Sequence, residues 1–386
     1  MEVETMKEFV KQIDYALLLP LVLVSTLGII MLYSASSIVA ITHYELPSHY
    51  FFQSQLHKLL IGGVYLFICM FIPFKFWKKR FISVCIVVFS ITLLCLVLWK
   101  GKVVNNAQSW IFGIQPAEFT KLGMIIVVAR FFAIRQELGK PYWEGIGKII
   151  LFLSVIFFLI YKQPNLGSAL LIVATSFSIF FCSGISIKYL IKRILFTSVL
   201  TVPILYAFIK YGLSEVQMKR ITTILNPFDD PQTSGYQLIN SFIAIGSGGI
   251  IGSGFGNSIQ KRGFLPEPHT DFIMAIISEE LGFIGVFLIL MGLLLLVIRA
   301  LRISQKCPDL FGSLLAIGIG CMIGIQTIVN LGGITGIIPL TGTPLPFVSF
   351  GGSSFITNLI AVGILMNISK STRLHNDMFS SNGTNA

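Results

Sequence analysis

The sequence predicts an all-α polytopic membrane protein with about ten transmembrane helices. The first observation is composition, since 54% of the 386 residues are apolar and only 12% are charged. The second is a mean hydropathy of +0.84, which arises from repeated apolar runs long enough to cross a bilayer. These observations exclude a soluble enzyme, a disordered chain and a nucleic-acid-binding module.

The net charge of +11 has a membrane explanation. Lys and Arg number 28 against 17 Asp and Glu. In a soluble protein this excess would suggest a nucleic-acid partner, but in a membrane protein basic cytoplasmic loops face anionic lipid. We therefore expect no nucleic acid among the partners.

The N-terminal region predicts a first transmembrane helix and not a signal peptide. Residues 1–14 are polar with mixed charge, and the apolar run that follows is too long for a signal-peptide core. The six cysteines lie in apolar runs or basic loops without a CxxC pair, so we expect neither a disulfide framework nor a zinc site.

The apolar runs define the spans and their orientation. An even number of spans places both termini on one side. Most Lys and Arg residues fall in cytoplasmic segments when that side is the cytoplasm, which predicts an N-in/C-in topology. The predicted spans are 16–35, 56–74, 81–99, 116–134, 147–162, 166–183, 190–210, 271–299, 312–333 and 352–369.

Residues 1–370 are thus predicted to form a single transmembrane domain, with a disordered cytoplasmic tail at 371–386. The domain includes one long extracytoplasmic loop at 211–270, and such loops are usually functional. Its apolar, Gly- and Ser-rich part at 236–251 predicts re-entrant or interfacial helices. The glycines at 246–256 lack the strand of a nucleotide-binding motif, so we expect close helix packing or a substrate-facing loop.

Two ionisable residues stand inside the fourth predicted span. Glu118 and Lys121 are three residues apart and share one helix face. Ionisable residues in a span are functional candidates by default. The alternative is an ion pair that holds helices together.

Asp271 is the strongest candidate for chemistry. It opens the eighth predicted span at the outer surface, where His269 or Thr270 is expected to cap the helix. Asp271 is then either a first-turn acid favoured by the helix dipole or a catalytic group. His269 is a candidate base or ligand. Glu279 and Glu280 lie deeper on other helix faces and are expected to be buried hydrogen-bonding groups.

Two outer segments offer candidate substrate contacts. Lys261 and Arg262 give the long loop a basic edge, which indicates either snorkelling towards lipid headgroups or a contact with a lipid diphosphate. Residues 336–354 hold three prolines and paired glycines, which predicts a non-helical outer loop. That loop is either a rigid connector or a wall of the substrate cleft, with Ser349 and Ser353 as candidate substrate-binding residues.

These motifs resemble the FtsW/RodA/SpoVE (SEDS) family of bacterial cell-wall synthesis. The most specific segment is 265–282, followed by 115–121 and 339–354, in the same order and spacing. Segment 106–110 resembles the cell-division (FtsW) branch of Gram-positive bacteria. Three positions depart from the family pattern: Ser109 where many relatives have Arg, Asn165 in place of Asp, and Phe350 in place of a common Tyr.

The resemblance implies a peptidoglycan glycosyltransferase that polymerises lipid II outside the cytoplasmic membrane, at the division septum. It implies as partners a class B penicillin-binding protein, which cross-links the new strand, and other divisome membrane proteins. Asp271 matches the family's essential acid, and Glu118 and Lys121 match its intramembrane acid and base. The alternatives are a lipid II flippase, a scaffold for the transpeptidase, and an elongation or sporulation paralogue.

The chemistry that follows is glycosyl transfer with Asp271 as general base. The diphosphate is already a good leaving group, so no second acid is required. Its charge needs Lys121, Lys261 or Arg262, or a divalent cation, Mg²⁺ or Mn²⁺. The sequence shows no metal-binding motif and no ATP site.

Overall fold

A computed structural model describes residues 13–104, 107–141, 144–184, 218–219, 222–224, 226–229, 231–232 and 235–383. The predicted span at 190–210 lies outside them. The main helices and strands of the described part are α1 (Tyr15–Thr42), α2 (Tyr50–Phe71), α3 (Arg80–Lys100), β1 (Lys102–Val104), β2 (Ala107–Trp110), α4 (Pro116–Glu137), α5 (Ile146–Tyr161), α6 (Leu166–Cys182), α7 (Tyr236–Gly248), α8 (Ile273–Lys306), α9 (Leu310–Ile334) and α10 (Gly352–Gly383).

The all-α membrane fold is confirmed. In the described part, six helices are long and apolar enough to span a bilayer, namely α1, α2, α3, α8, α9 and α10, and α5 and α6 are shorter apolar helices. Helix α4 coincides with the fourth predicted span but carries five charged side chains inside the bundle or towards its end. The count of ten spans and the N-in/C-in orientation stay predictions.

Local sequence explains where several helices begin. Asp14 precedes α1 and its carboxylate accepts a hydrogen bond from the Ala16 amide at 3.2 Å. Asp309 caps α9 in the same way through the Gly312 amide at 3.0 Å. Pro116 opens α4, where a missing N–H costs nothing. Each of these residues satisfies or removes a backbone donor that a helix start leaves open.

The bundle has two chemically distinct ends. Residues 263–272, the loop 336–351 and the antiparallel β1–β2 hairpin lie at one end, which we call the Asp271 end. At the opposite end, ion pairs tie helix termini together: Lys78 Nζ lies 2.5 Å from Glu137 Oε1, and Arg299 lies 2.8 Å from Asp14. The sequence predicts the Asp271 end to be extracytoplasmic.

The helices that carry the site pack at the centre of the bundle. Helix α10 packs along α2, α8 packs between α9 and α1, and α9 also contacts α6 and α4. Most of the α10 span is buried inside the protein. Central helices of this kind hold their outer ends at fixed positions, which is what a site assembled from several loops requires.

The segment from α7 to α8 turns back on itself, and its re-entrant placement in the membrane stays a prediction. Helix α7 runs alongside the first turns of α8, and the chain then returns past a 3₁₀ turn at Gln260–Arg262 to the Asp271 end. Helix α8 is broken at Gly282, whose φ of 64° and ψ of −160° are not helical. The break lies about 14 Å from the helix start at 1.5 Å per residue.

Backbone groups freed by the break at Gly282 are satisfied by segment 249–254. The amides of Ser253 and Gly254 donate to the carbonyl oxygens of Glu279 and Glu280, at 2.9 and 3.0 Å. In return, the amides of the two residues after Gly282 donate to carbonyl oxygens of the segment. Irregular backbone at membrane depth is tolerated when protein groups replace the missing partners in this way.

The glycine cluster provides close backbone packing, one of its two expected roles. A Cβ on Gly248 would lie 1.9 Å from the Ser278 carbonyl oxygen, and one on Gly252 would lie 2.3 Å from that of Glu280. Only glycine permits such an approach.

Two expected boundaries are wrong. Helix α8 begins at Ile273, two residues later than predicted, and neither His269 nor Thr270 caps it; Thr270 Oγ1 instead donates to the Glu267 carbonyl oxygen at 3.1 Å. The expected disordered tail is helical as far as Gly383. Extending a helix that is already packed needs only one hydrogen bond per residue, and residues 371–382 contain neither Pro nor Gly.

Candidate active site

Asp271 lies just before α8, against the loop 336–351, which we call the proline-rich loop. Its carbonyl oxygen accepts a hydrogen bond from Asn330 Nδ2 at 2.8 Å, and the same nitrogen donates to the Thr343 carbonyl oxygen at 2.9 Å. The Cβ position of Gly342, where φ is +69°, is 3.5 Å from Asp271 Oδ2. Asn330 on α9 thus fixes both the acid and the loop. A Cβ at position 342 would be in van der Waals contact with the carboxylate, and the positive φ there favours glycine.

His269 is buried two residues before Asp271. Its ring centroid lies 4.4 Å from that of Phe51 and 5.7 Å from that of Phe350, and its carbonyl oxygen accepts the Phe350 amide at 2.9 Å. Burial lowers the pKa of His269, although the nearby Glu267 carboxylate opposes the shift. The imidazole is therefore neutral at neutral pH.

Glu267 connects His269 to the loop between α1 and α2. Its Oε2 atom is 3.8 Å from His269 Nε2, and its Oε1 atom accepts a hydrogen bond from the Tyr44 hydroxyl at 3.0 Å. Partial burial and the Glu267 charge raise the pKa of Tyr44 to about 12. Tyr44 is thus a neutral donor that anchors the loop carrying Asp271.

Glu118 and Lys121 form the ion pair that was one of their two expected roles. Lys121 Nζ is 2.9 Å from Glu118 Oε2 and 2.7 Å from Gln326 Oε1, and both charged side chains are buried. Gln326 Nε2 in turn donates to the Pro344 carbonyl oxygen at 2.7 Å and to Ser354 Oγ at 3.1 Å. The ion pair therefore supports the proline-rich loop through Gln326.

Lys261 is also paired inside the protein. Its Nζ atom lies 2.6 Å from Glu280 Oε1 and donates to Ser34 Oγ at 2.8 Å. Glu279 accepts hydrogen bonds from Ser258 Oγ at 2.5 Å and from the Ile259 amide at 2.7 Å. The expectation that both glutamates are buried hydrogen-bonding groups is confirmed.

The remaining predicted site residues lie around these groups. Ser349 Oγ accepts the Leu345 amide, and Ser353 Oγ accepts the Gln115 amide, each at 2.8 Å. Both hydroxyls are buried and brace the proline-rich loop. Arg262 is exposed at the end of the 3₁₀ turn. Contacts of all these residues with substrate stay predictions.

Asn165 explains one departure from the family pattern. It is the N-cap residue of α6, and its Oδ1 atom accepts the Ser168 amide at 3.2 Å. Asp and Asn cap helices about equally well, so this position keeps its local structural role without a carboxylate.

Sequence reasoning missed three residues that shape the site. Asn330 and Gln326 look like ordinary polar residues of an apolar helix, and no local pattern indicates their distant partners. Lys58 did carry a signal, because it is a lysine inside the second predicted span. In the described part, no three His, Cys, Asp or Glu side chains are grouped as metal ligands.

Comparisons with known proteins agree with this architecture. The family model described as "Cell cycle protein" and labelled FTSW_RODA_SPOVE matches residues 15–374. The chain is 40% identical over 371 residues to the probable peptidoglycan glycosyltransferase FtsW of Bacillus subtilis, covering 94% of this chain and 92% of that protein. It is also 40% identical to stage V sporulation protein E of the same organism, covering 93% and 98%.

Solved structures show the same fold. A chain of a peptidoglycan synthase complex that coordinates polymerization and crosslinking superposes with a TM-score of 0.74 at 27% identity, covering 93% of this chain and 98% of that one. Rod shape determining protein RodA of Thermus thermophilus superposes with a TM-score of 0.65 at 24% identity, covering 93% and 97%. By sequence, the chain belongs to the FtsW/RodA/SpoVE family of cell cycle proteins.

Proposed function

We propose that this protein is a peptidoglycan glycosyltransferase that polymerises lipid II at the outer face of the cytoplasmic membrane. The family membership and the relatives named as peptidoglycan glycosyltransferases support the activity. The observation that carries the site is Asn330, whose Nδ2 atom donates to the carbonyl oxygens of both Asp271 and Thr343. It links Asp271 to the proline-rich loop at the end of the bundle that the sequence predicts to be extracytoplasmic.

The proposed reaction is a single displacement. The 4-hydroxyl oxygen of the acceptor sugar attacks the anomeric carbon of the donor. The bond from that carbon to the diphosphate breaks, and the electron pair leaves with the diphosphate. Asp271 takes the hydroxyl proton as general base and later releases it to water. Inversion at the anomeric carbon produces a β-1,4 bond.

The surrounding groups define what Asp271 can do. Asn330 holds the Asp271 backbone and the Thr343 carbonyl together, which limits movement of the acid relative to the loop. His269 is buried and neutral, so it adds no positive charge beside Asp271 that would weaken the carboxylate as a base. An acid on a well-supported backbone beside a shaped loop is a suitable general base.

The relatives support a proposed partner and location. We propose that a class B penicillin-binding protein works with this chain, because a structural neighbour comes from a complex that coordinates polymerization and crosslinking. Other divisome membrane proteins and the division septum are part of the same proposal, supported by the FtsW names among the relatives.

The test is glycan synthesis from purified lipid II in detergent, with a transpeptidase-inactive partner present. Wild type is expected to form glycan chains and to release undecaprenyl diphosphate, whereas Asp271→Asn forms none. Glu45→Gln is the matched control, because Glu45 is an exposed acid at the same end of the bundle. Transfer of intact lipid II across vesicles without glycan from wild type would overturn the proposal in favour of a flippase.

A further inference from the structure

Lys58 is a cation inside the bundle without an acidic partner. It lies eight residues into α2, about 12 Å from the helix start. Its Nζ atom is 4.0 Å from the centroid of the Phe350 ring. Among the described residues, no carboxylate oxygen pairs with it and no hydrogen-bond acceptor contacts it.

The other two buried lysines near the site differ in this respect. Lys121 is neutralised by Glu118 and Lys261 by Glu280. A charge in a membrane protein is costly unless an opposite charge compensates it, and a cation–π contact compensates only partly. Lys58 is therefore a partly buried cation whose charge an anionic ligand would neutralise.

Two neighbouring side chains also have unsatisfied polar atoms. Gln55 Oε1 and His269 Nδ1 are buried and have no hydrogen-bond partner in the described part of the chain. Gln55 lies three residues before Lys58, on the same helix face. Buried polar atoms are nearly always paired, so orphaned atoms indicate water or a ligand.

All three residues contact the proline-rich loop at Ser349 or Phe350. Gln55 Nε2 donates to the Ser349 carbonyl oxygen at 3.4 Å, and the Phe350 amide donates to the His269 carbonyl oxygen at 2.9 Å. Lys58 lies over the Phe350 ring. Asn330 holds this loop to Asp271 through hydrogen bonds to the Thr343 and Asp271 carbonyl oxygens, so the loop connects the unpaired cation to the acid.

We propose that Lys58 binds the diphosphate of the lipid-linked substrate, with Gln55 and His269 completing the polar surroundings. The proposal rests on the proposed function. An ammonium group is a compact point charge that suits a phosphate oxygen. The departing diphosphate gains charge as the glycosidic bond breaks, and a cation held near it stabilises that charge.

The experiment measures binding of undecaprenyl diphosphate to the purified full-length protein in detergent. Lys58→Met is expected to weaken binding about tenfold, the loss expected for one charge-assisted hydrogen bond. Lys58→Arg keeps most of the affinity. Lys100→Met is the matched control, because Lys100 is an exposed lysine 4.5 Å from the Trp99 ring; it is expected to bind like wild type.

A second arm separates the substrate from membrane phospholipid, which presents the same phosphate chemistry. Phosphatidylglycerol in nanodiscs is expected to bind wild type and Lys58→Met equally. Equal losses for both lipids would overturn the assignment to the substrate. Unchanged diphosphate affinity in Lys58→Met, or no diphosphate binding by wild type, would overturn the proposal altogether.

Kinetics and folding complete the test. The thermal midpoint of each variant verifies the fold, and the Arg variant carries the conclusion if Lys58→Met unfolds. With lipid II as substrate, Lys58→Met is expected to raise KM about tenfold. If wild type makes no glycan, the proposed function fails, whereas the binding assay still reports on Lys58 independently.

Discussion

Lys261 and Glu280 form a buried ion pair whose nearest atoms, Nζ and Oε1, are 2.6 Å apart. The pair joins the segment between α7 and α8 to α8 just before the break at Gly282. Ser34 on α1 donates to both Glu280 carboxylate oxygens, at 2.8 and 2.7 Å. Three parts of the chain are thus held together beneath the loop that carries Asp271.

Removing one member of this pair should destabilise the protein strongly. Lys261→Met leaves the Glu280 carboxylate buried without its cation, which costs about 3–5 kcal/mol of unfolding free energy. Replacing both residues by Met should recover part of the loss. Arg262→Met is the neighbouring exposed control and should stay within about 0.5 kcal/mol of wild type. Denaturant titration in mixed micelles measures these values, and a Lys261→Met variant as stable as the control would contradict the account.

Substitution of two glycines of α7 by alanine should change the stability of the protein in opposite directions. Gly248→Ala forces a Cβ against the Ser278 carbonyl and should destabilise by about 1–3 kcal/mol. Gly246 has no atom within 4 Å of its Cβ position, so Gly246→Ala should stabilise the helix by about 0.5–1 kcal/mol. Thermal unfolding of the two variants side by side decides the matter; equal midpoints would mean that α7 does not pack closely on α8.

Stability should fall as the pH is lowered through the range in which histidine titrates. The pKa of His269 is lowered in the folded protein. Below an unfolded-state pKa of about 6.5, the unfolded chain therefore binds a proton that the buried imidazole, beside Glu267 and Tyr44, does not bind. The contribution of His269 to stability is complete above that pH. It is lost as the pH falls towards the lowered pKa of His269 in the folded protein.

The measurement compares thermal midpoints at about pH 7.5 and 5.5. His269→Asn should show a smaller drop between the two than wild type. His43→Asn is the control, because His43 is exposed; it should match wild type. A drop in His269→Asn as large as that of wild type would assign the pH dependence to other groups.

Asn165 should be replaceable by another capping residue. Asn165→Asp should leave stability within about 0.5 kcal/mol of wild type, whereas Asn165→Ala should cost about 1 kcal/mol because the Ser168 amide loses its acceptor. Glycan synthesis should be unaffected in the Asp variant. An Ala variant as stable as wild type would show that the cap is not needed at this helix.

The spans were predictable because apolar length is a local property of the sequence. The bounds of α3, α5 and α6 differ from the predicted spans by at most one residue at each end. The start of α8 was not predictable, because Asn330 on α9 and Phe350 of the proline-rich loop hold the residues before Ile273, and both are tertiary contacts. The helical tail was missed because amino-acid composition alone does not show that a helix continues beyond its apolar span.

The candidate site was predictable in its acid but not in its cations. Asp271 stands out by position and by motif. The partners of Lys261 could not be deduced, because Ser34 and Glu280 lie 227 and 19 residues away in the chain. Once those partners are known, Lys58 is, of these three lysines, the one without an ionic partner in the described part of the chain.

The central claim is that Asp271 is the base for glycosyl transfer. The most direct measurement is the turnover rate of lipid II by wild type and by Asp271→Asn, with lipid II affinity and thermal stability measured on the same samples. The account predicts a rate loss of about 10²–10⁴ with affinity and stability unchanged. A folded Asp271→Asn variant that polymerises lipid II at the wild-type rate would contradict it.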